Sequence, residues 1–155
     1  MPRETTRIRV AFGDVDGSQR IHFTAMFRYF EVAEHALMRA LGLPYATTLR
    51  EHKFPRAHLE CDFRGPVGYD DQIDVEAHVE RVGATSWTIG FTARRTPVEA
   101  PADDMSADDA PAHSADATGA VVADGKMVIV ALDAATERPI PLPAALRAAL
   151  EQGRN

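Results

Sequence analysis

The chain has 155 residues, 45% of them hydrophobic and 26% charged, and a formal net charge of −6. That length suits one domain with its own core, and the composition is ordinary for a globular protein. The charge balance gives no support for long-range attraction to nucleic acid, no apolar run approaches bilayer length, and the single cysteine, Cys61, excludes an intrachain disulfide or a cysteine-rich metal site.

The opening MPRETTRIRV lacks the apolar core of a signal peptide, so a cytoplasmic location is expected. From Thr6 to Phe12, Ile8, Val10 and Phe12 alternate with Arg7, Arg9 and Ala11, the pattern of a half-buried strand. A polar turn from Asp14 to Phe23 follows, carrying Asp14, Asp16 and His22. Thr24 is placed to cap a helix over Ala25 to Leu41. In that helix Arg28, Glu31, Glu34, His35 and Arg39 form one narrow polar stripe, and apolar side chains cover the rest, which predicts burial over most of the circumference. Gly42 suits a left-handed helix end, and Pro44 prevents continuation.

Tyr45 to Pro55 reads as a polar connection without an assigned element. Leu59, Cys61 and Phe63 then alternate with charged neighbours, and GPVGYDD makes a turn. Ile73, Val75, Ala77 and Val79 mark the next strand, Gly83 and Ala84 reverse the chain, and Trp87, Ile89, Phe91 and Ala93 complete a hairpin. Ala120 to Leu132 is the last long strand, with Gly125 marking a bulge. Between these strands, residues 96–118 carry Glu99, Asp103, Asp104, Asp108, Asp109 and Asp116 and no Lys or Arg. Those acids match the whole excess of 23 acidic over 17 basic residues, so the segment reads as a mobile acidic excursion from an otherwise neutral domain. Pro143 to Gln152 predicts a short terminal helix. A strand, a long buried helix and four further antiparallel strands define an α+β domain in which one curved sheet wraps one helix.

The turn before the helix is where chemistry is expected. A helix entrance presents unpaired N–H groups and partial positive charge, so a carboxylate there lies beside ready-made oxyanion donors. No HxH or HExxH spacing links the histidines, and no metal is expected. Cys61 reads as a small strand residue, not a reactive thiol.

Phe12-Gly13-Asp14-Val15-Asp16, joined at this spacing to Phe27-Arg28-Tyr29-Phe30-Glu31, resembles the hotdog-fold acyl-CoA thioesterases of the 4-hydroxybenzoyl-CoA thioesterase type. The resemblance covers almost the whole chain except the acidic segment. It implies a five-stranded antiparallel sheet around one long helix, Asp16 as the catalytic carboxylate, and a helix-entrance N–H, at Phe23, polarising the thioester carbonyl. It also implies a homodimer or homotetramer with coenzyme A lying across a subunit interface. His22 is a further catalytic candidate, placed to bond Asp16, bind substrate or cap the helix entrance, and Thr24, Phe27, Thr85 and Ser86 are candidates for substrate binding. Phe27 with Leu59 or Phe63 would form the acyl pocket. Coenzyme A phosphates would have to find Arg81, Arg94, Arg95 or Lys126.

This chain departs from the family at Gln19, where glycine is common, and at Phe23, where a polar side chain is usual. No cofactor is implied. The partner is an acyl-CoA or an acyl carrier protein thioester, without nucleic acid or membrane. Asp16 and His22 also keep open a hotdog hydratase or dehydratase of enoyl thioesters. A non-catalytic acyl-thioester binder is the remaining alternative.

Overall fold

Period-two alternation builds one antiparallel sheet from β1 (Arg3–Arg9), β3 (Arg56–Phe63), β4 (Gln72–Val82), β5 (Ser86–Arg95) and β6 (Val121–Val130), in the order β1-β4-β5-β6-β3. The long helix α1 (Phe23–Ala40) lies on its inner face, and α2 (Tyr45–Thr48), α3 (Ala144–Leu150) and the small pair β2 (His52–Lys53) with β7 (Leu132–Asp133) close one end. These coordinates are a computed structural model that describes residues 1–96 and 119–152. The expected acidic excursion lies, apart from Thr96, outside the described residues.

The inner face holds the apolar set that alternation predicts. Ile73, Val75, Ala77 and Val79 of β4, and Trp87, Ile89, Phe91 and Ala93 of β5, are all buried, and the register sets Val75 against Ala93 and Ala77 against Phe91. Onto them α1 turns Met26, Phe30, Ala33, Leu37 and Met38. Phe30 stacks on Phe91 with ring centroids 4.5 Å apart. Burying one such ring stabilises the fold by about 1.5–3 kcal/mol, so this stack pins the middle of α1 to the middle of the sheet.

Gly125 is not a bulge: it pairs in register with both Phe91 and Cys61, and the irregularities fall elsewhere, between Val79 and Arg81, between Arg56 and His58, and between Ala93 and Arg94. A Cβ at Gly125 would lie 2.2 Å from the Glu60 carbonyl oxygen and 2.8 Å from a ring carbon of Phe30. Glycine is there because helix, β3 and β6 converge on that point.

Glu34 does not belong to the exposed polar stripe; it is fully buried. Both its oxygens accept from Arg56 Nη2 at 2.7 Å, and Oε1 also accepts from the Tyr45 hydroxyl at 2.5 Å. A carboxylate can leave water when a charged donor and a hydroxyl replace it. Burial and the neighbouring Glu34 push the Tyr45 hydroxyl well above the usual tyrosine range, keeping it a donor. The connection from Tyr45 to Pro55 is therefore structured, since α2 delivers Tyr45 to this cluster and β2 pairs with β7.

Phe12 is not an inward strand residue either. β1 ends at Arg9, a 3-10 turn covers Phe12–Asp14, and Phe12 is 78% exposed, with its ring edge-on to Tyr69. The last long strand likewise stops at Val130, and Leu132 and Asp133 pair separately.

Candidate active site

Residues 15–21 fold back as a tight hairpin directly before α1. Val15 bridges Ile21, Asp16 N donates to the Arg20 carbonyl at 2.9 Å, and Gln19 N donates to the Asp16 carbonyl at 3.0 Å. Gln19 carries φ of 63°, the left-handed region that glycine enters without steric cost. The hairpin is held to the loop after β3, because Ile21 N donates to the Val67 carbonyl at 2.8 Å and Arg20 bridges Gly68.

Asp16 is exposed at the tip of this hairpin. Its Oδ1 accepts from Ser18 N at 2.8 Å and from the Ser18 hydroxyl at 2.5 Å, whereas Oδ2 has no donor among the described residues. The Ser18 hydroxyl and then the Ser18 N–H hold the carboxyl below the usual carboxylate range, with His22 adding a smaller pull in the same direction. Asp16 is thus an ionised group with one oxygen engaged and one open.

Asp14, two residues earlier, is differently placed. Its Oδ2 accepts from the Tyr29 hydroxyl at 2.8 Å, Oδ1 accepts from Arg28, and its carbonyl receives His22 N at 2.8 Å. The Tyr29 hydrogen bond, followed by Arg28, holds its carboxyl low as well. Asp14 ties the turn to the first helical turns. Because its folded pKa is depressed, the stability it gives is present above the unfolded value, 3.8, and fades as pH falls through the folded one.

The helix cap is His22, not Thr24. His22 Nδ1 accepts from Thr24 N at 3.3 Å and lies 2.7 Å from the Thr24 hydroxyl. Accepting through Nδ1 leaves Nε2 as the ring nitrogen that can donate. Its ring lies 4.5 Å from that of Phe23, which is 60% exposed. The Phe23 N–H, the first of α1, meets no acceptor among the described residues. Asp16, His22, Phe23 and Thr24 are therefore brought to one end of α1.

Phe27, one turn on, is half-buried. Glu34 reaches Arg56 at the start of β3, so the helix flank carrying Phe23, Phe27 and Glu34 is the one turned to that edge of the sheet. On the same inner face β3 presents Leu59 and Phe63, 39% and 51% exposed. Cys61 stands between them, its thiol pushed up to about 11 by burial, which leaves it inert near neutrality.

Thr85 and Ser86 lie elsewhere. Ile73 pairs with Arg95 at the hairpin end of the sheet, and Val82 pairs with Trp87 at the other. The reversal carrying Thr85 and Ser86 therefore sits at the far end of α1, about 27 Å away for an 18-residue helix. An apolar cavity of about 340 Å³ between α2 and α3, lined by Leu43, His52, Phe54 and Leu146 among others, is also at that end.

Of the cations expected for phosphate, Arg95 is buried against Asp71 and the Pro66 carbonyl. Arg94 donates to the Gly119 carbonyl, Lys126 pairs with Glu60 at 3.3 Å, and Arg81 is exposed. Arg95 is therefore not free for phosphate: β5 alternation carried two residues past Ala93 puts it on the inner face. Among the described residues no three His, Cys, Asp or Glu side chains gather as metal ligands, and no helix is long and apolar enough to cross a membrane.

A five-stranded antiparallel sheet wrapped on one helix, with an acid-bearing hairpin at the helix entrance, is the hotdog architecture of thioesterases. The chain belongs to the thioesterase superfamily, whose family model matches residues 19–102, more than half of its length. Over 87 residues it is 30% identical to an Aquifex aeolicus protein provisionally named an esterase, covering 55% of this chain and 67% of the relative. Over 98 residues it is 31% identical to a 1,4-dihydroxy-2-naphthoyl-CoA hydrolase of Prochlorococcus marinus, covering 56% of this chain and 61% of that enzyme. The chain thus spans about two thirds of the curated relatives it matches.

Solved structures agree on the fold. A 1,4-dihydroxy-2-naphthoyl-CoA thioesterase from Synechocystis superposes with a TM-score of 0.77 at 15% identity, covering 99% of this chain and 98% of its own. A mutant 4-hydroxybenzoyl CoA thioesterase complexed with 4-hydroxybenzoyl CoA superposes with a TM-score of 0.76 at 19% identity, covering 97% and 99%.

Proposed function

We propose that this protein hydrolyses an acyl-CoA thioester to the carboxylic acid and coenzyme A, with Asp16 as the reacting carboxylate. The observation that carries the reading is the open Oδ2 of an ionised Asp16 beside a helix entrance whose first N–H, at Phe23, has no acceptor among the described residues. When Asp16, or a water it deprotonates, adds to the thioester carbon, the carbonyl oxygen becomes an oxyanion. The Phe23 N–H and the positive end of α1 stabilise that charge. The tetrahedral species then collapses, the C–S bond breaks, and coenzyme A leaves as a thiolate. By the first route the acyl-Asp16 anhydride is hydrolysed by water, and by the second the acid forms directly.

In this account His22 is a positioning group that caps α1, and Thr24 completes the cap instead of contacting substrate. Phe27, Leu59 and Phe63 take the acyl group. The lone cysteine accords with a reducing, cytoplasmic setting. Thiol release from a panel of aromatic and aliphatic acyl-CoAs tests the reading. Turnover of at least one is expected. Water addition to crotonyl-CoA with no thiol release from any member would assign a hydratase instead.

The reading includes a homodimer built on β3. That strand closes one edge of the sheet with backbone groups that no strand among the described residues pairs and two exposed apolar side chains, whereas the opposite edge, β1, turns Arg3, Arg7 and Arg9 outward. Antiparallel pairing of β3 with a second copy reverses the ends, setting the Thr85–Ser86 reversal of one subunit level with the Asp16 hairpin of the other. Pantetheine and phosphate contacts at Thr85 and Ser86 then become reachable. Phe63→Glu should convert the dimer to monomer by light scattering and lower kcat/KM at least tenfold. A monomeric wild type of full activity would contradict this arrangement.

The depressed pKa of Asp16 adds a pH expectation. Its charged form persists as pH falls until the lowered value is reached, below the ordinary 3.8. The kcat/KM profile should therefore stay flat on the acid side down to about pH 5, without an inflection between 6 and 7. An acid limb centred near 6.5 would transfer the essential base to a histidine.

A further inference from the structure

We infer that the buried pair Arg95–Asp71 is a positioning device for the Asp16 hairpin, acting through the loop at residues 65–71. The inference rests on the reading of Asp16 as the reacting carboxylate. Arg95 and Asp71 are each 8% exposed, and Arg95 Nη1 donates to Asp71 Oδ2 at 3.0 Å. Neither side chain stops at the pair. Arg95 Nη2 donates to the Pro66 carbonyl, and Asp71 Oδ2 also accepts Gly68 N at 2.8 Å. The guanidinium and the carboxylate therefore grip the loop at two backbone points, Pro66 and Gly68.

Between those points lies Val67, buried at 3% exposure, whose carbonyl accepts Ile21 N, and Gly68 itself bridges Arg20. Arg20 and Ile21 are the return strand of the hairpin, paired to Asp16 and Val15. A second tether runs to the other flank, because Val10 N donates to the Asp71 carbonyl at 2.9 Å and Asp70 N donates to the Val10 carbonyl at 3.1 Å. Both chain segments that carry Asp16 are thus referenced to residues 66–71, and that loop is referenced to the sheet by Arg95 at the end of β5.

A charge on the inner face of β5 breaks the apolar alternation that the rest of the strand obeys. A buried ion pair is weak evidence for stability, since apolar side chains of similar volume often serve as well. What an apolar pair cannot supply is the donor to Pro66 and the acceptor for Gly68. Placement of a reacting group to within about 1 Å can decide about 100-fold in rate, and among the described residues the hairpin has no hydrogen bond to the sheet except through this loop and its own flanks.

The test compares the wild type with Arg95→Met, Arg95→Lys, Asp71→Asn and the double variant Arg95→Met with Asp71→Leu. Measurements are kcat, KM and thermal midpoint, together with amide exchange at Asp16 and Ile21. Positioning predicts a 10- to 100-fold lower kcat in Arg95→Met with KM within threefold, and at least tenfold faster exchange at both amides. Arg95→Lys should recover part of kcat. The double variant should regain thermal midpoint over the single ones while its kcat stays low.

If kcat instead recovers in step with the midpoint, or if exchange at Asp16 and Ile21 is unchanged in Arg95→Met, the device is merely structural and the inference is overturned. The exchange measurement needs no substrate. Failure of the thioesterase reading would show as a wild type without thiol release, and the tether would still be judged by exchange.

Discussion

Asp16→Asn is expected to lower kcat for thioester hydrolysis by about 10³-fold, within the range that a positioned acid or base contributes, and to leave KM nearly unchanged. Asparagine keeps the shape of the side chain and can still accept from Ser18 through its carbonyl oxygen. What it loses is the charge and lone-pair basicity at the open oxygen. The substitution is confined to an exposed hairpin tip, so the thermal midpoint should stay within about 1 °C of wild type. A large fall in kcat with an unchanged melting curve therefore reads out chemistry and not folding. An amide at this position can neither form the anhydride nor deprotonate water, so a fall in kcat is expected by either route.

Gly125→Ala is expected to have the largest effect on stability, about 3 kcal/mol, at the upper end of what overpacking a core costs. For a domain of this size that corresponds to a thermal midpoint lowered by roughly 6–12 °C. A methyl group there meets the Glu60 backbone oxygen at 2.2 Å and Phe30 at 2.8 Å. Backbone cannot rotate away as a side-chain end can, so β3 and β6 must part or α1 must lift. Lifting α1 also disturbs the Phe30–Phe91 stack. Gly17→Ala is the matched control, because a Cβ there meets nothing within 4 Å. If thermal denaturation shows the two variants falling equally, the three-way convergence at Gly125 is not tight.

The elements that alternation and helical period predict are present, since β4, β5 and α1 depend on local pattern and one buried face. Gly42 ends α1 with φ of 75°, as its place before Pro44 implies. The errors share a cause: each involves a partner distant in sequence. Glu34 looked like a solvated charge because Arg56 lies 22 residues on, and Arg95 looked available for phosphate because Asp71 lies 24 residues back. Gly125 looked like a bulge because nothing local reveals that Phe30 occupies the space above it.

The site was legible in another way. A carboxylate before an apolar helix can be seen in the chain, and so can the departure at Gln19, whose φ of 63° explains why glycine is common there among the proteins it resembles. Threonine is the commoner cap and histidine the rarer one, so which of Thr24 and His22 caps α1 is decided by where the imidazole Nδ1 points. Thr85 and Ser86 were grouped with Asp16 although the chain holds them at opposite ends of α1, because turn signals in a sequence do not say how far apart two loops lie.

Asp14 and Asp16 are two residues apart, and both are held ionised, yet only Asp16 keeps an open oxygen; Asp14 is engaged by Tyr29 and Arg28. The most direct measurement is thiol release from one turned-over acyl-CoA by the wild type, Asp16→Asn and Asp14→Asn, side by side at equal folded concentration. The result expected is a loss of about 10³-fold in Asp16→Asn and of less than about tenfold in Asp14→Asn, whose melting curve shifts down instead. Equal rates for Asp16→Asn and wild type, or a larger loss in Asp14→Asn at an unchanged melting temperature, would contradict the assignment of Asp16 as the reacting carboxylate.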